Sequence, residues 1–226
     1  QNDIQVKDQV QPKVTPVSGS SNTNNNTNNP TPTPDFALDV GQLGGMYAGK
    51  IYLVGTEQGL GVRNAGSMNA TTGQMTLNAN GDLVNTGNMI ANKDQIAIQA
   101  KDVKNSGNIS STQHQIQIQA SNIQNNGSIA TQDEIKLNAQ AKIDNNKGVI
   151  NAGRIDFTAQ NLSNDEGKIE QSGQQLLNIQ AKNLDNSKGL IGQATKENIG
   201  TGQSSGGVTP PTVTDPQEQS SAQDTS

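Results

Sequence analysis

The chain has 226 residues, of which 30% are hydrophobic and only 2% aromatic, with no tryptophan and no cysteine. That composition argues against an ordinary aromatic-anchored core and excludes disulfides and thiolate metal sites. The net charge of −5, with arginine only at Arg63 and Arg154, speaks against nucleic acid as a partner, since such surfaces need clustered cations. No apolar run approaches the ~20 residues that a membrane span requires. Charged residues are 15% of the chain, so its polarity comes from Asn, Gln, Ser and Thr. Chains of that kind are either unfolded or stacked in β ladders, where amides bond to their copies above and below. Periodicity decides between the two.

The chain opens at Gln1 without a charged-then-apolar leader, which reads as a processed product or a piece of something longer. Asp3-Ile4-Gln5-Val6-Lys7 alternates polar and apolar, so residues 1–17 read as the remnant of a preceding domain. Residues 18–34 contain only Ser, Gly, Asn, Thr and Pro and predict a disordered linker, because nothing in them can offset the entropy of ordering. Residues 35–63 are expected to form a first, capping coil. In it Met46, Tyr47 and Tyr52 would plug strand edges left open at the end of a stack. The alternative for the tyrosines is a flat platform for a sugar or a partner.

From residue 64 to 192 the sequence repeats. Asn64, Asn85, Asn105, Asn125, Asn145, Asn164 and Asn186 open successive units at spacings of 21, 20, 20, 20, 19 and 22. The consensus is N-x-G-x-I, about six polar residues, I-x-I-x-A, and a further aliphatic residue. Within a unit, Ile116, Ile118 and Ala120 alternate with Gln115, Gln117 and Gln119, as in a strand with one apolar face. The expected core comprises Ile96, Ile98, Ile109, Ile116, Ile118, Ile123, Ile129, Ile135, Leu137 and Ile143. Five inward residues per unit are too few for a unit to fold alone, which is the logic of a solenoid. The corners Asn85, Gly87, Asn105, Gly107, Asn125 and Gly127 suit left-handed backbone, where glycine carries no steric penalty and asparagine a small one. The fold class is therefore all-β: a right-handed parallel β-helix of about seven coils, ~20 residues each, with disordered tails, the second tail spanning 193–226. At one strand spacing per coil the rod is roughly 35 Å long. A leucine-rich repeat has a similar period, but it needs leucine-rich strands and a convex helical segment where this unit has Asn, Gly and β-branched residues.

The sites that a sequence of this kind could carry are few. His114 is the only histidine and lies in a polar stretch without a second ligand or a nucleophile, so a solvated turn is the better reading. Gly59-Leu60-Gly61-Val62-Arg63-Asn64 begins like a dinucleotide fingerprint but lacks its last glycine and any βαβ pattern. Asp133-Glu134 and Asp165-Glu166 are adjacent acids in turns, with no partner acid at fixed spacing. No catalytic, metal or cofactor site is expected, and no enzyme. The outward Gln and Asn ladder could itself bind a glycan through repeated amide contacts, the alternative being that its residues need only be soluble and β-compatible.

The stretch ALDVGQLGGMYAGKIYLVGTEQGLGVRNAG, Ala37–Gly66, resembles a signature of filamentous haemagglutinin-like exoproteins of two-partner secretion systems, a group that includes the toxin carriers of contact-dependent growth inhibition. The N-x-G-x-I units resemble that family's haemagglutinin repeats, so the resemblance covers about residues 36–192. It implies a right-handed β-helical shaft, export through an outer-membrane β-barrel transporter, and a location that is secreted or on the bacterial surface. Secretion domain and carboxy-terminal toxin are both missing from these residues, so the function implied is a structural shaft serving adhesion or presenting a distal toxin or receptor-binding region. A self-sufficient adhesin module for a cell-surface glycan or protein receptor is the alternative. A β-helical carbohydrate-active enzyme fits less well, because aromatic subsites and clustered acids are lacking, and a truncated reading frame without function of its own stays open.

Overall fold

The computed structural model describes residues 36–193. The remnant, the linker and nearly all of the tail predicted from the sequence lie outside them. Every described strand pairs in parallel with a strand about one unit away, and the described residues contain no helix. Two sheets result. The shorter has eight strands: Gly45–Ala48, Ser67–Ala70, Asn88–Ala91, Asn108–Ser111, Ser128–Thr131, Val149–Ala152, Lys168–Gln171 and Leu190–Gln193. They mark eight coils, so the first coil joins the seven read from the repeat. Seven spacings between eight rungs make a stack ~34 Å long.

The longer sheet has eleven strands. In the early coils it is supplied by separate pieces, such as Ile96–Gln99 and Asp102–Asn105; later these merge into single strands, Ile116–Asn125, Glu134–Asp144 and Arg154–Ser163. Inward side chains stack in columns because the register is nearly constant. Ile96, Ile116, Ile135 and Ile155 form one column. Ile98, Ile118, Leu137 and Phe157 form a second. A third runs Leu83, Val103, Ile123, Ile143 and Leu162. Opposite them, the short sheet contributes Met46, Met68, Met89, Ile109, Ile129 and Ile150. The predicted core residues, Ile96 through Ile143, are all among the buried set. Each such aliphatic stabilises the stack by ~1.5–3 kcal/mol.

The corners differ from the sequence expectation. Gly87, Gly107 and Gly127 are not left-handed, and neither are Asn85, Asn105 and Asn125. Glycine is required there by close approach: a Cβ on Gly107 would overlap the carbonyl oxygen of Gly87 in the coil before, and one on Gly127 that of Gly107. Left-handed backbone occurs instead at Lys147, Glu166 and Lys188, with φ of 61°, 54° and 53°. In those later coils the corner has gained a residue, reading Asn145-Asn146-Lys147-Gly148 where earlier coils have Asn125-Asn126-Gly127. The inserted residue bulges into the left-handed region, and the Gly148 N–H turns back onto the Asn145 carbonyl, 3.1 Å, whereas the Gly127 N–H donates across to Asn105 of the previous coil, 3.1 Å.

Asparagine at the corner has a role of its own. Asn64, Asn85, Asn105, Asn125, Asn145 and Asn164 all point inward and are buried. Each Nδ2 donates to the Oδ1 of the next coil's asparagine at 2.7 Å, ending on Asn186. The second Nδ2 proton of Asn85, Asn105 and Asn125 reaches the carbonyl of the corner glycine two residues on, at 3.2–3.3 Å. The spine is directional, donating always toward the C-terminal coils. Its first acceptor, Oδ1 of Asn64, is buried without a partner, because the position paired with Asn64 in the first coil is Val40.

Candidate functional site

Period-2 alternation places the residues of the first coil differently from the expected plug. In Gly45–Ala48, Met46 stacks on Met68 and packs against the core, so Tyr47 must point outward, where it is 69% exposed. Tyr52 stands between the inward Ile51 and Leu53 and is 39% exposed. Neither tyrosine plugs the coil; of the three expected cap residues only Met46 packs against the core. Gly59 occupies left-handed backbone at φ 80°, and a Cβ on Gly61 would overlap Asp82, so these glycines serve the turn between the first two coils.

The remaining candidates stay apart. His114 is exposed and engages only through its backbone: its carbonyl accepts from the Thr131 hydroxyl at 2.7 Å and its N–H donates to Ser111 Oγ at 3.3 Å. Glu134 pairs with Arg154 at 3.3 Å in the next coil, and Glu166 with Lys188 at 3.6 Å. Among the described residues no group of three or more His, Cys, Asp or Glu converges as a metal site would. Cross-coil ion pairs recur on the flanks. Arg63 with Asp39 and Lys104 with Asp82 hold the cations' protons above their ordinary range, chiefly through the side-chain hydrogen bond to the carboxylate. Both pairs are solvent-exposed, so they register the coils more than they stabilise them.

One surface differs from these flanks. On the outer face of the longer sheet, Asn78, Gln99, Gln119, Asn138, Thr158 and Gln180 stand in register on six successive coils. The row carries no charge. None of its amides bonds to another protein group, whereas several outward amides elsewhere are engaged, as Asn122 is with Asp102, Asn151 with Glu170 and Asn183 with Asn161. Beside it runs a parallel row, Tyr52, Thr76, Ala97 and Gln117, in which the small Ala97 leaves a shallow depression between its neighbours. Sequence analysis saw the amides as a ladder but not that one row is unpartnered. The signal was the second x of I-x-I-x-A, which is Asn or Gln in unit after unit.

The fold and its surface thus define a parallel β-solenoid segment with a repetitive outer surface. Comparison with known proteins gives the family to which this segment is similar: the CdiA proteins of contact-dependent growth inhibition. The chain is 52% identical over 65 residues to a toxin CdiA of Yersinia pestis, which is 29% of this chain. It is 56% identical over 54 residues, 24% of the chain, to the tRNA nuclease CdiA-2 of Burkholderia pseudomallei. To a tRNA nuclease CdiA of Yersinia mollaretii it is 44% identical over 71 residues, 29% of the chain. In each case the match spans about 2% of the relative's own length. The resemblance read in the sequence is therefore to homologues that exist, over a quarter or so of the chain. No family model and no solved structure matches it.

Proposed function

We propose that the chain is a shaft segment of a contact-dependent growth inhibition exoprotein, one that holds distal regions away from the cell and is itself not an enzyme. The observation that carries this reading is the continuous parallel stacking of eight coils around one core. A stack of this kind transmits length and stiffness, and its outward positions are free to be merely soluble. The relatives named as tRNA nucleases are matched by this chain over about 2% of their length, a stretch far too short to carry their activity over to it. On this reading the parent is secreted through an outer-membrane β-barrel transporter and stands on the surface of the bacterium.

The test is a graft. The whole chain, placed in a CdiA protein of Escherichia coli in exchange for the stretch it matches, should leave a distal epitope tag displayed at the cell surface. The same graft carrying Ile118→Asp, which cannot close its core, should lose that display. Equal display from both grafts, or none from either, would overturn the shaft reading.

A further inference from the structure

We infer that the uncharged amide row of the longer sheet is a binding face for a neutral glycan, seated over the depression at Ala97. This goes beyond the shaft reading and does not depend on it.

The argument starts from hydrogen-bond inventory. A primary amide offers two donors and a carbonyl acceptor, and a sugar hydroxyl both donates and accepts, so the two satisfy one another without any charge. Asn78, Gln99 and Gln119 present such amides on three adjacent coils, free of protein partners and exposed. Their spacing is that of the coils, ~4.8 Å, so a linear chain lying along the rod axis meets one amide after another. Single contacts of this kind are weak, and repetition along a rigid row is what gives them affinity.

Three further features select the ligand class. First, the row has no cation for a sulfate or carboxylate and no anion for an amine. The charges on the adjacent row, Lys136 and Asp156, are paired with each other at 3.4 Å. Second, Leu77 and Ile98 in the floor of the depression face the core and are buried, so the side chains it presents outward are Thr76, Ala97, Gln117 and the amides, which do not fit a hydrophobic helix. The backbone beneath is already saturated by the sheet ladder on both sides, which leaves no edge for an extended peptide. Third, Tyr52 lies in the same row as Thr76 and Ala97, two coils from the depression and partly exposed, where an aromatic ring can stack on the apolar face of a sugar.

The experiment is affinity electrophoresis of the full chain in native gels cast with a neutral β-glucan or a galactomannan, beside gels containing dextran sulfate. Retardation by a neutral polymer is expected, and none specific to the sulfated one. Ala97→Arg, which fills the depression from the outer face, and the double variant Gln99→Ala with Gln119→Ala should each weaken retention about tenfold or more, the loss of one or two hydrogen bonds. Both should melt as the parent does, and Ser110→Arg on the shorter sheet should bind normally. Passage of the parent through both neutral gels unretarded, retention only by dextran sulfate, or folded variants that bind as the parent does would overturn the proposal.

Discussion

Asn125 is the midpoint of the buried spine, and replacing it by aspartate tests the spine without changing shape. Its Oδ1 accepts from Asn105 at 2.7 Å, while its Nδ2 donates to Asn145 Oδ1 at 2.7 Å and to the Gly127 carbonyl at 3.3 Å. A carboxylate is isosteric but only accepts. In Asn125→Asp the bond from Asn105 survives, and the Gly127 carbonyl keeps the Val149 N–H at 2.8 Å, but the buried Asn145 Oδ1 faces a negative oxygen instead of its donor. At ~1–3 kcal/mol for a buried group left unsatisfied, and toward the upper end where a charge opposes it, the loss is ~3 kcal/mol at neutral pH. For a fold of this size that lowers the melting midpoint by ~6–12 °C. The loss must depend on pH. Desolvation and the facing oxygens raise the carboxyl's folded pKa above its unfolded ~3.9. Between those two values the folded state binds more protons than the unfolded one, so stability falls as pH rises through the window. As pH drops toward ~4 the protonated carboxyl donates to Asn145 and the spine is rejoined. Thermal melts by circular dichroism near pH 7 and near pH 4.5, referenced to the parent at each pH, measure this, with exposed Asn126→Asp as control. A variant within ~2 °C of the parent at neutral pH, or one whose deficit is the same at both, would refute the reasoning.

Gly107→Ala should destabilise by ~2–4 kcal/mol in urea unfolding, since the methyl meets the backbone of Gly87, whereas Gly41→Ala, which meets nothing, should shift the midpoint little. Val40→Asn places an amide opposite the unpartnered Asn64 oxygen, so it should cost at least ~1 kcal/mol less than Val62→Asn, whose amide would replace a core residue of the next coil. Equal urea midpoints for the two would mean that the spine does not begin at Asn64. Ile118→Asp buries an unpaired charge and should abolish the unfolding transition of the central coils or lower it steeply, while Gln117→Asp, outward and beside Lys136, should leave the midpoint unchanged; an unaltered midpoint for Ile118→Asp would show that its side chain does not face the core.

What could be read from the sequence depends on how far each constraint reaches along the chain. The alternation of Ile116, Ile118 and Ala120 is local, so strand, face and period followed from neighbours two residues apart. The same rule would have turned Tyr47 outward, since Met46 and Ala48 flank it and repeat as Met68 and Ala70 one coil later. Gly107 is constrained by Gly87, a full coil back, and a single unit shows the residue without showing what it must avoid. Glycine was therefore rightly placed at the corner and given the wrong reason. The true left-handed sites were visible as one-residue insertions at Lys147, Glu166 and Lys188, once the corners were aligned by both their Asn and their Gly. The direction of the asparagine spine could not be read at all, because an amide's donor and acceptor ends are chosen by the coils on either side.

Inward and outward positions thus carry different information. Inward ones are fixed by stacking: a column accepts Ile, Leu, Met or Phe and little else, so their identities report the fold. Outward ones are not fixed by it. Charge is tolerated there, as Lys104 with Asp82, Lys136 with Asp156 and Arg154 with Glu134 demonstrate on flanking positions. From Asn78 through Gln180 the same freedom existed and no charge was placed on six consecutive coils. The shorter sheet also has outward rows without charge, such as Tyr47, Asn69, Ile90, Ser110, Ala130 and Asn151, so neutrality alone does not set this row apart. Its run of free amides, Asn78, Gln99, Gln119 and Asn138, does, and that is the pattern expected where the partner bonds through hydroxyls.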